Sequence, residues 1–151
     1  MATKLDEIFA HKKIELPETK KALPLEVLLK KIEENPRKPL DVISALSRKP
    51  GGTNIIAEIK KKTPFKGVLR EIDPVELAKT YELNGAAAIS VLTESHFFNG
   101  SLNFLSEVRS QVNIPLLRKD FIFDEYQVYE AVAFGADFFL LIATYLDAND
   151  L

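Results

Sequence analysis

There is no cysteine anywhere in the 151 residues. This excludes a disulfide framework, a thiolate metal site and a cysteine nucleophile. Histidine is nearly as scarce. Only His11 and His96 occur, far apart in the chain, which argues against a zinc site or a Ser-His triad. No apolar run reaches the roughly 18 residues of a membrane span. The opening Met-Ala-Thr-Lys-Leu-Asp-Glu is charged and has no signal-peptide apolar core. An excess of one sign of charge is missing too: 20 Lys+Arg against 22 Asp+Glu leave a net charge of -2. Nothing global therefore invites nucleic acid or a membrane surface, and any anion site has to be local. What is present is 46% hydrophobic residues, enough for a core and too many for disorder. The length suits one domain. The expectation is a soluble cytoplasmic protein.

The first fifty residues read as helices. Leu5, Ile8 and Phe9 have helical spacing within a short helix over 4–13, and Pro17 and Pro24 punctuate the next stretch. Apolar positions 25, 28, 29 and 32 make a second stripe that Asn35-Pro36 stops. Asp41 can cap a third helix with Val42, Ile43, Ala45 and Leu46 inside, before Pro50-Gly51-Gly52. The pattern then changes to alternating strands and helices. Strands are expected near 54–59, 86–92, 114–118 and 137–143. Helices begin at Asp73-Pro74-Val75-Glu76, at Ser101 and at Asp124, and two of them stop at Asn84-Gly85 and Phe134-Gly135. Strands that are apolar on both faces and joined by helices form a covered parallel sheet. The chain thus divides into a helical extension, 1–53, and a βα region, 54–151. A further helix is signalled at Asp147, with five residues left to Leu151. The expectation is a fold truncated at its fourth strand, or a half that self-associates through its open sheet edges.

The polar residues that break the apolar strands fall near the strands' C-terminal ends, where parallel βα folds carry their chemistry. Asn54-Ile-Ile-Ala-Glu-Ile-Lys-Lys-Lys-Thr-Pro-Phe-Lys-Gly67 runs from a strand into a loop holding Lys60, Lys61, Lys62 and Lys66. Period-two alternation puts Glu58 and Lys60 on one face and Ala57 and Ile59 on the other, with Lys61 turned away. In Leu117-Arg118-Lys119-Asp120-Phe121, Lys119 shares a face with Leu117 and Phe121. Arg118, on the opposite face, is expected to pair with a helix carboxylate. The loop 93–101 contains Phe97 and Phe98; at least one of them should anchor the loop on the core. His96 reads as a solvated loop residue and Gly100 as a turn glycine. If the sheet curls, Glu58, Lys60, Lys119, Phe98 and Phe121 converge on one anion-friendly, aromatic-lined mouth. A lysine there could act as an acid on a phosphorylated or carboxylated molecule, or form a Schiff base. Spacing alone does not choose between the two.

Several stretches, in order, carry a family resemblance. Ile56-Ala-Glu-Ile-Lys-Lys-Lys-Thr-Pro-Phe-Lys-Gly67 resembles the I-A-E-I-K-(K/R)-x-S-P-S-x-G signature of indole-3-glycerol phosphate synthases. Asp73-Pro74-Val75-Glu76, Ser90-Val91-Leu92-Thr93-Glu94, Phe97-Phe98-Asn99-Gly100-Ser101, Pro115 through Ile122 and Gly135-Ala136-Asp137 agree as well. The resemblance implies an α/β fold of the (βα)8 TIM-barrel family, here an N-terminal helical extension plus about four parallel βα units. It implies a carboxy-lyase of tryptophan biosynthesis that uses no cofactor and no metal. The reaction closes the indole ring of 1-(2-carboxyphenylamino)-1-deoxyribulose 5-phosphate with loss of CO2 and water. By resemblance, Lys119 is the general acid at the ribulose carbonyl. Lys60 engages the anthranilate carboxylate, and Glu58 orients the lysines. Thr63, Phe98, Phe121 and Leu140 line the substrate. Thr63 stands where the family has Ser, and Phe65 replaces the second Ser of S-P-S. The family needs about 250 residues, so a second catalytic carboxylate and the phosphate site are expected beyond Leu151. The 151 residues alone are expected to be inactive. Two alternatives stand beside this reading: a catalytically silent half-barrel that self-associates, and a different barrel enzyme built on a Schiff-base lysine.

Overall fold

A computed structural model describes residues 3–47, 52–65, 67–68 and 72–148. Lys66 of the lysine cluster, Pro50-Gly51 and the last three positions of the expected Asp147 helix lie outside the described residues. The first helix, α1, spans Lys4–Ala22 and opens on a capping box in which Thr3 and Asp6 satisfy each other's backbone N–H. It does not stop after Lys13 as its spacing suggests, but continues through Pro17. A proline inside a helix removes a hydrogen bond and costs about 3 kcal/mol. Packing on both sides of it offsets that cost. Leu16 is buried with Leu28 and Tyr126, and the Tyr126 hydroxyl donates to the Leu23 carbonyl at 2.6 Å.

Helix α2 (Leu25–Glu34) buries Leu28 completely, whereas Leu25 and Leu29 of its expected stripe stay partly exposed. Helix α3 (Val42–Leu46) is capped by Asp41 as expected but buries none of its residues, and Ile43 is 82% exposed. Val42, Ala45 and Leu46 of its apolar stripe are only partly covered, in contact with β4. The segment between α2 and α3 is tied down differently. Arg37 donates to Asp137 at 2.6 Å and to the Ala136 carbonyl at 2.7 Å, and the Leu40 N–H donates to Asp137. Asp137 also receives Arg109 and the Leu116 N–H. This buried carboxylate thereby joins the helical extension to the sheet at the strands' N-terminal end.

Strand β1 (Ile56–Ile59) leads into a small antiparallel hairpin, β2 (Lys62–Thr63) and β3 (Gly67–Val68). By its sequence pattern this stretch is plain loop; the hairpin is a finding of the structure. Then come α4 (Pro74–Leu83), β4 (Ala88–Leu92), α5 (Leu102–Arg109), β5 (Leu116–Ile122), α6 (Glu125–Ala133), β6 (Phe138–Leu141) and a 3-10 turn, Ala143–Tyr145. Asp73 caps α4 by accepting from the Val75 and Glu76 N–H groups, with Pro74 at the first position, where its missing N–H costs nothing. Asp124 and Gln127 form a second capping box on α6. Gly85 and Gly135, at φ +82° and +94°, make the left-handed turns that release α4 and α6.

The four long strands form one parallel sheet in the order β1-β4-β5-β6. Ile59, Ile89, Val91 and Leu116 face the helices and pack with Ala78, Leu105, Val108 and Ala131. Each large apolar side chain buried there contributes about 1.5–3 kcal/mol. Strand β5 is longer than expected: Lys119, Asp120 and Phe121 lie within it rather than in the loop beyond. Strand β6 is correspondingly shorter than 137–143. The opposite face of the sheet and the strands' C-terminal ends are partly closed by α1. Phe9 presents its face to Tyr145 at 3.9 Å and meets Phe121 edge-on at 5.5 Å.

Candidate active site on the open face of the sheet

The pleat decides which groups meet. Register pairs Glu58 with Ser90, Ser90 with Leu117 and Leu92 with Lys119. Residues opposite one another in adjacent strands point to the same face, so Glu58 and Lys119 share the face away from the helices. They stand two strands apart, with Lys119 two residues further along than the in-register Leu117, a backbone separation of about 12 Å. Lys60 follows β1 directly, and its ammonium donates to Glu58 at 2.5 Å. Both side chains are about two-thirds removed from solvent. The Tyr81 hydroxyl of α4 donates to the Glu58 carbonyl at 3.1 Å and fixes the strand end from behind. Glu58 thus orients Lys60, and its ion pair is with that lysine rather than with Lys119. Lys61 points elsewhere, over the Phe104 ring of α5 at 4.3 Å.

Lys119 is half-buried. Among the described residues its ammonium has neither an ion pair nor a hydrogen bond. It is a cation held on a strand and left available. Phe121 lies one pleat further along the same face and is 6% exposed. Phe98 is tilted against it at 6.1 Å. Leu140 lies on β6 between Phe139, which pairs with Arg118, and Leu141, which pairs with Ile122, where the register between β5 and β6 shifts. Phe121 is also the residue that α1 covers with Phe9, so much of its ring belongs to an aromatic cluster shared with Ile8 and Phe97. Of the two loop phenylalanines, Phe97 is the buried anchor and Phe98 the half-buried one. Thr63 lies on the β2–β3 hairpin, half-buried.

The loop that carries Phe98 is held by a residue that the sequence pattern does not single out. Glu94 is fully buried, and its carboxylate accepts the N–H groups of His96, Phe97 and Phe98 at 3.1, 2.7 and 3.1 Å. The turn closes through the Gly100 N–H on the Glu94 carbonyl at 2.7 Å. A Cβ at Gly100 would lie 2.5 Å from the Leu92 carbonyl oxygen, so only glycine fits there. His96 is not simply solvated: its ring stacks on His11 of α1 at 4.2 Å. The signal for Glu94 is its place two residues after the apolar strand, where a buried carboxylate needs several donors.

Behind Lys119 lies a second charged cluster. Arg118 donates to the Gln127 carbonyl at 2.6 Å and to Asp120 and Glu130 at 3.1 Å each. The expected helix carboxylate is therefore Glu130 of α6. Lys12 of α1 stands 3.6 Å from Asp120 and 2.6 Å from Glu15. Burial works against the Asp120 carboxylate, but Arg118, Lys12 and the Thr93 hydroxyl hold it below the ordinary carboxyl range. Burial pushes Glu130 up despite Arg118, and its second oxygen has no hydrogen-bond partner. Burial opposes the Lys12 charge too, and Asp120 and Glu15 more than restore it. These groups border a polar cavity of about 190 Å³ on the helix side of the sheet. Its polar groups are mostly engaged with one another, unlike Lys119 in front. Among the described residues no cluster of three or more His, Asp or Glu could hold a metal.

Comparison with known proteins gives the arrangement a family. The family model described as "Indole-3-glycerol phosphate synthase" matches residues 5–151. A curated relative of that name from Campylobacter jejuni subsp. doylei is 55% identical over 148 residues, which is 97% of this chain and 57% of the relative. One from Campylobacter hominis is 50% identical and one from Sulfurimonas denitrificans 46%, each over 149 residues with the same shares covered. The chain thus spans 57% of the length of these relatives. The family is a TIM barrel, and the four parallel strands with their covering helices form an arc of one. With the match running from α1 through the lysine-bearing strands to the end of the sequence, the chain belongs to the indole-3-glycerol phosphate synthase family.

Proposed function

We propose that this chain supplies the lysine-bearing part of an indole-3-glycerol phosphate synthase. The substrate is 1-(2-carboxyphenylamino)-1-deoxyribulose 5-phosphate. Lys119 protonates the ribulose carbonyl oxygen as the aromatic carbon bearing the carboxylate attacks the carbonyl carbon. CO2 then leaves from that aromatic carbon, and the new hydroxyl leaves as water to complete the indole. The balance is one CO2 and one water lost with no change of redox state, so the chemistry calls for no cofactor. Lys60, oriented by Glu58, engages the anthranilate carboxylate. Phe98, Phe121 and Leu140 form the apolar wall, and Thr63 offers its hydroxyl from the hairpin. Such a reaction belongs in the cytoplasm, with small metabolites as the partners. The observation that carries the reading is the half-buried Lys119, unpaired among the described residues and on the same face as the Glu58–Lys60 pair.

The experiment is the appearance of indole fluorescence from that substrate. A chain extended to the length of its relatives should turn it over, and Lys119→Ala should abolish turnover far more than binding. Normal turnover by that variant would remove Lys119 from the role. The 151 residues by themselves are expected to give no ring closure above the uncatalysed rate.

A second reading applies to the 151-residue chain in isolation. Strands β1 and β6 are the sheet's edges among the described residues, and Ile55 and Ile56 at the β1 edge are 59% and 43% exposed. Two copies pairing these edges would cover them. Light scattering on dilution tests this, and a monomer with a cooperative melt at all concentrations would rule it out.

A further inference from the structure

Lys119 is held at three consecutive positions by a single residue on the neighbouring strand. The Thr93 N–H, just past β4, donates to the carbonyl of Lys119 itself at 3.0 Å. The Thr93 hydroxyl donates to Asp120 at 2.6 Å and accepts from the Arg118 Nε at 3.3 Å. Thr93 therefore grips the residue before, the residue itself and the residue after. Its side chain is buried, as are those of Arg118 and Asp120. The grip lies on the helix side of the strand, so it touches neither the Lys119 ammonium nor anything bound in front of it.

We propose that Thr93 is a positioning residue for Lys119, acting through the backbone of β5. This rests on Lys119 being the acid of the proposed ring closure. A hydroxyl serves here because it both donates and accepts: it links the carboxylate of Asp120 to the guanidinium of Arg118 while the same residue's N–H fixes the intervening carbonyl. Removing the hydroxyl leaves Asp120 and Arg118 each one partner short, and the segment between them is free to shift. A shift of about 1 Å in a reacting group can lower a rate by about two powers of ten. The strand pairing survives, because the backbone N–H is unchanged.

The test compares Thr93→Val, which keeps the shape and loses the hydroxyl, with Thr93→Ser, which keeps the hydroxyl. In the chain extended to its relatives' length, Thr93→Val is expected to lower kcat roughly 10- to 100-fold with KM nearly unchanged, at a temperature where melting curves show it folded. Thr93→Ser is expected to restore kcat. In the 151-residue chain, trace acetylation read by mass spectrometry should show Lys119 labelled at a different rate relative to Lys60 in Thr93→Val but not in Thr93→Ser. Wild-type kcat and wild-type labelling in Thr93→Val would overturn the proposal. If Lys119→Ala keeps turnover, the functional reading fails instead, and the labelling ratio alone then decides whether Thr93 holds Lys119 in place.

Discussion

Both faces of β5 carry charged residues and use them in opposite ways. On the helix side, Arg118 and Asp120 are almost completely buried and saturated with partners from α1, α6 and the end of β4. On the open side, Lys119 has no charged partner among the described residues. A charge taken out of water must be paired or it is strongly unfavourable. The rear cluster obeys that rule and stabilises one geometry. The front leaves a cation half in solvent, where its hydrogen-bonding capacity stays available to a ligand. Burial alone does not single out Lys119, the acid proposed for this strand; unspent hydrogen-bonding capacity does.

Breaking each side should give different losses. Lys119→Ala is expected to lower turnover by about 10²–10⁴-fold, the usual contribution of a positioned acid, with the urea midpoint almost unchanged. Arg118→Met should do the reverse. It strands Asp120 and Glu130 without their main cation and should cost about 3–5 kcal/mol, read as a lower urea midpoint. Equal stability losses in the two variants would erase the distinction between the faces.

The rear cluster should also show itself in pH dependence, with opposing signs inside one network. Asp120 is held below its ordinary value. Its stabilising contribution is present above the unfolded value near ~3.9 and disappears as pH falls through the folded value. Glu130 is raised by burial. Its contribution is present below the unfolded value near ~4.3 and is lost as pH rises through the folded value. Each limb can reach about 1.4 kcal/mol per pH unit. Asp120→Asn should flatten the acid limb of the stability curve and Glu130→Gln the limb above pH ~4.3. A Glu130→Gln curve parallel to wild type would show that Glu130 titrates alike in both states. The smallest effect belongs to the exposed Glu76–Lys79 pair on α4, 3.0 Å apart. Lys79→Ala should change stability by less than about 0.5 kcal/mol, and a larger change would mean that exposed charges matter here as much as buried ones.

Period-two alternation makes the faces of Glu58, Lys60, Arg118 and Lys119 legible in the sequence, because a strand fixes side-chain direction even when its ends are misplaced. The helix starts at Asp73, Ser101 and Asp124 are legible for a similar reason: a cap is local chemistry. What stays hidden depends on distant partners. Pro17 marks a stop by propensity, yet α1 continues because Leu16 and Leu23 find Tyr126 more than a hundred residues away. Ile43 has the pattern of a core residue, yet no described surface covers it. That Arg118 pairs with a helix is foreseeable. That Thr93, Lys12 and Glu130 meet around it is not, since no spacing rule links positions 12, 93, 118 and 130.

The stacking of Phe9 on Tyr145 has a consequence for the order of events. The same two elements are joined by the Tyr145 hydroxyl donating to Asp6, across a sequence separation of 139 residues. Closing a loop that long carries an entropy cost of about 4 kcal/mol. Helix α1 is synthesised well before its aromatic partner Tyr145 on the 3-10 turn. The helix should therefore wait, forming and fraying on its own, until the sheet is assembled, and dock as a late step of folding. Its amides would then gain exchange protection after those of β4 and β5.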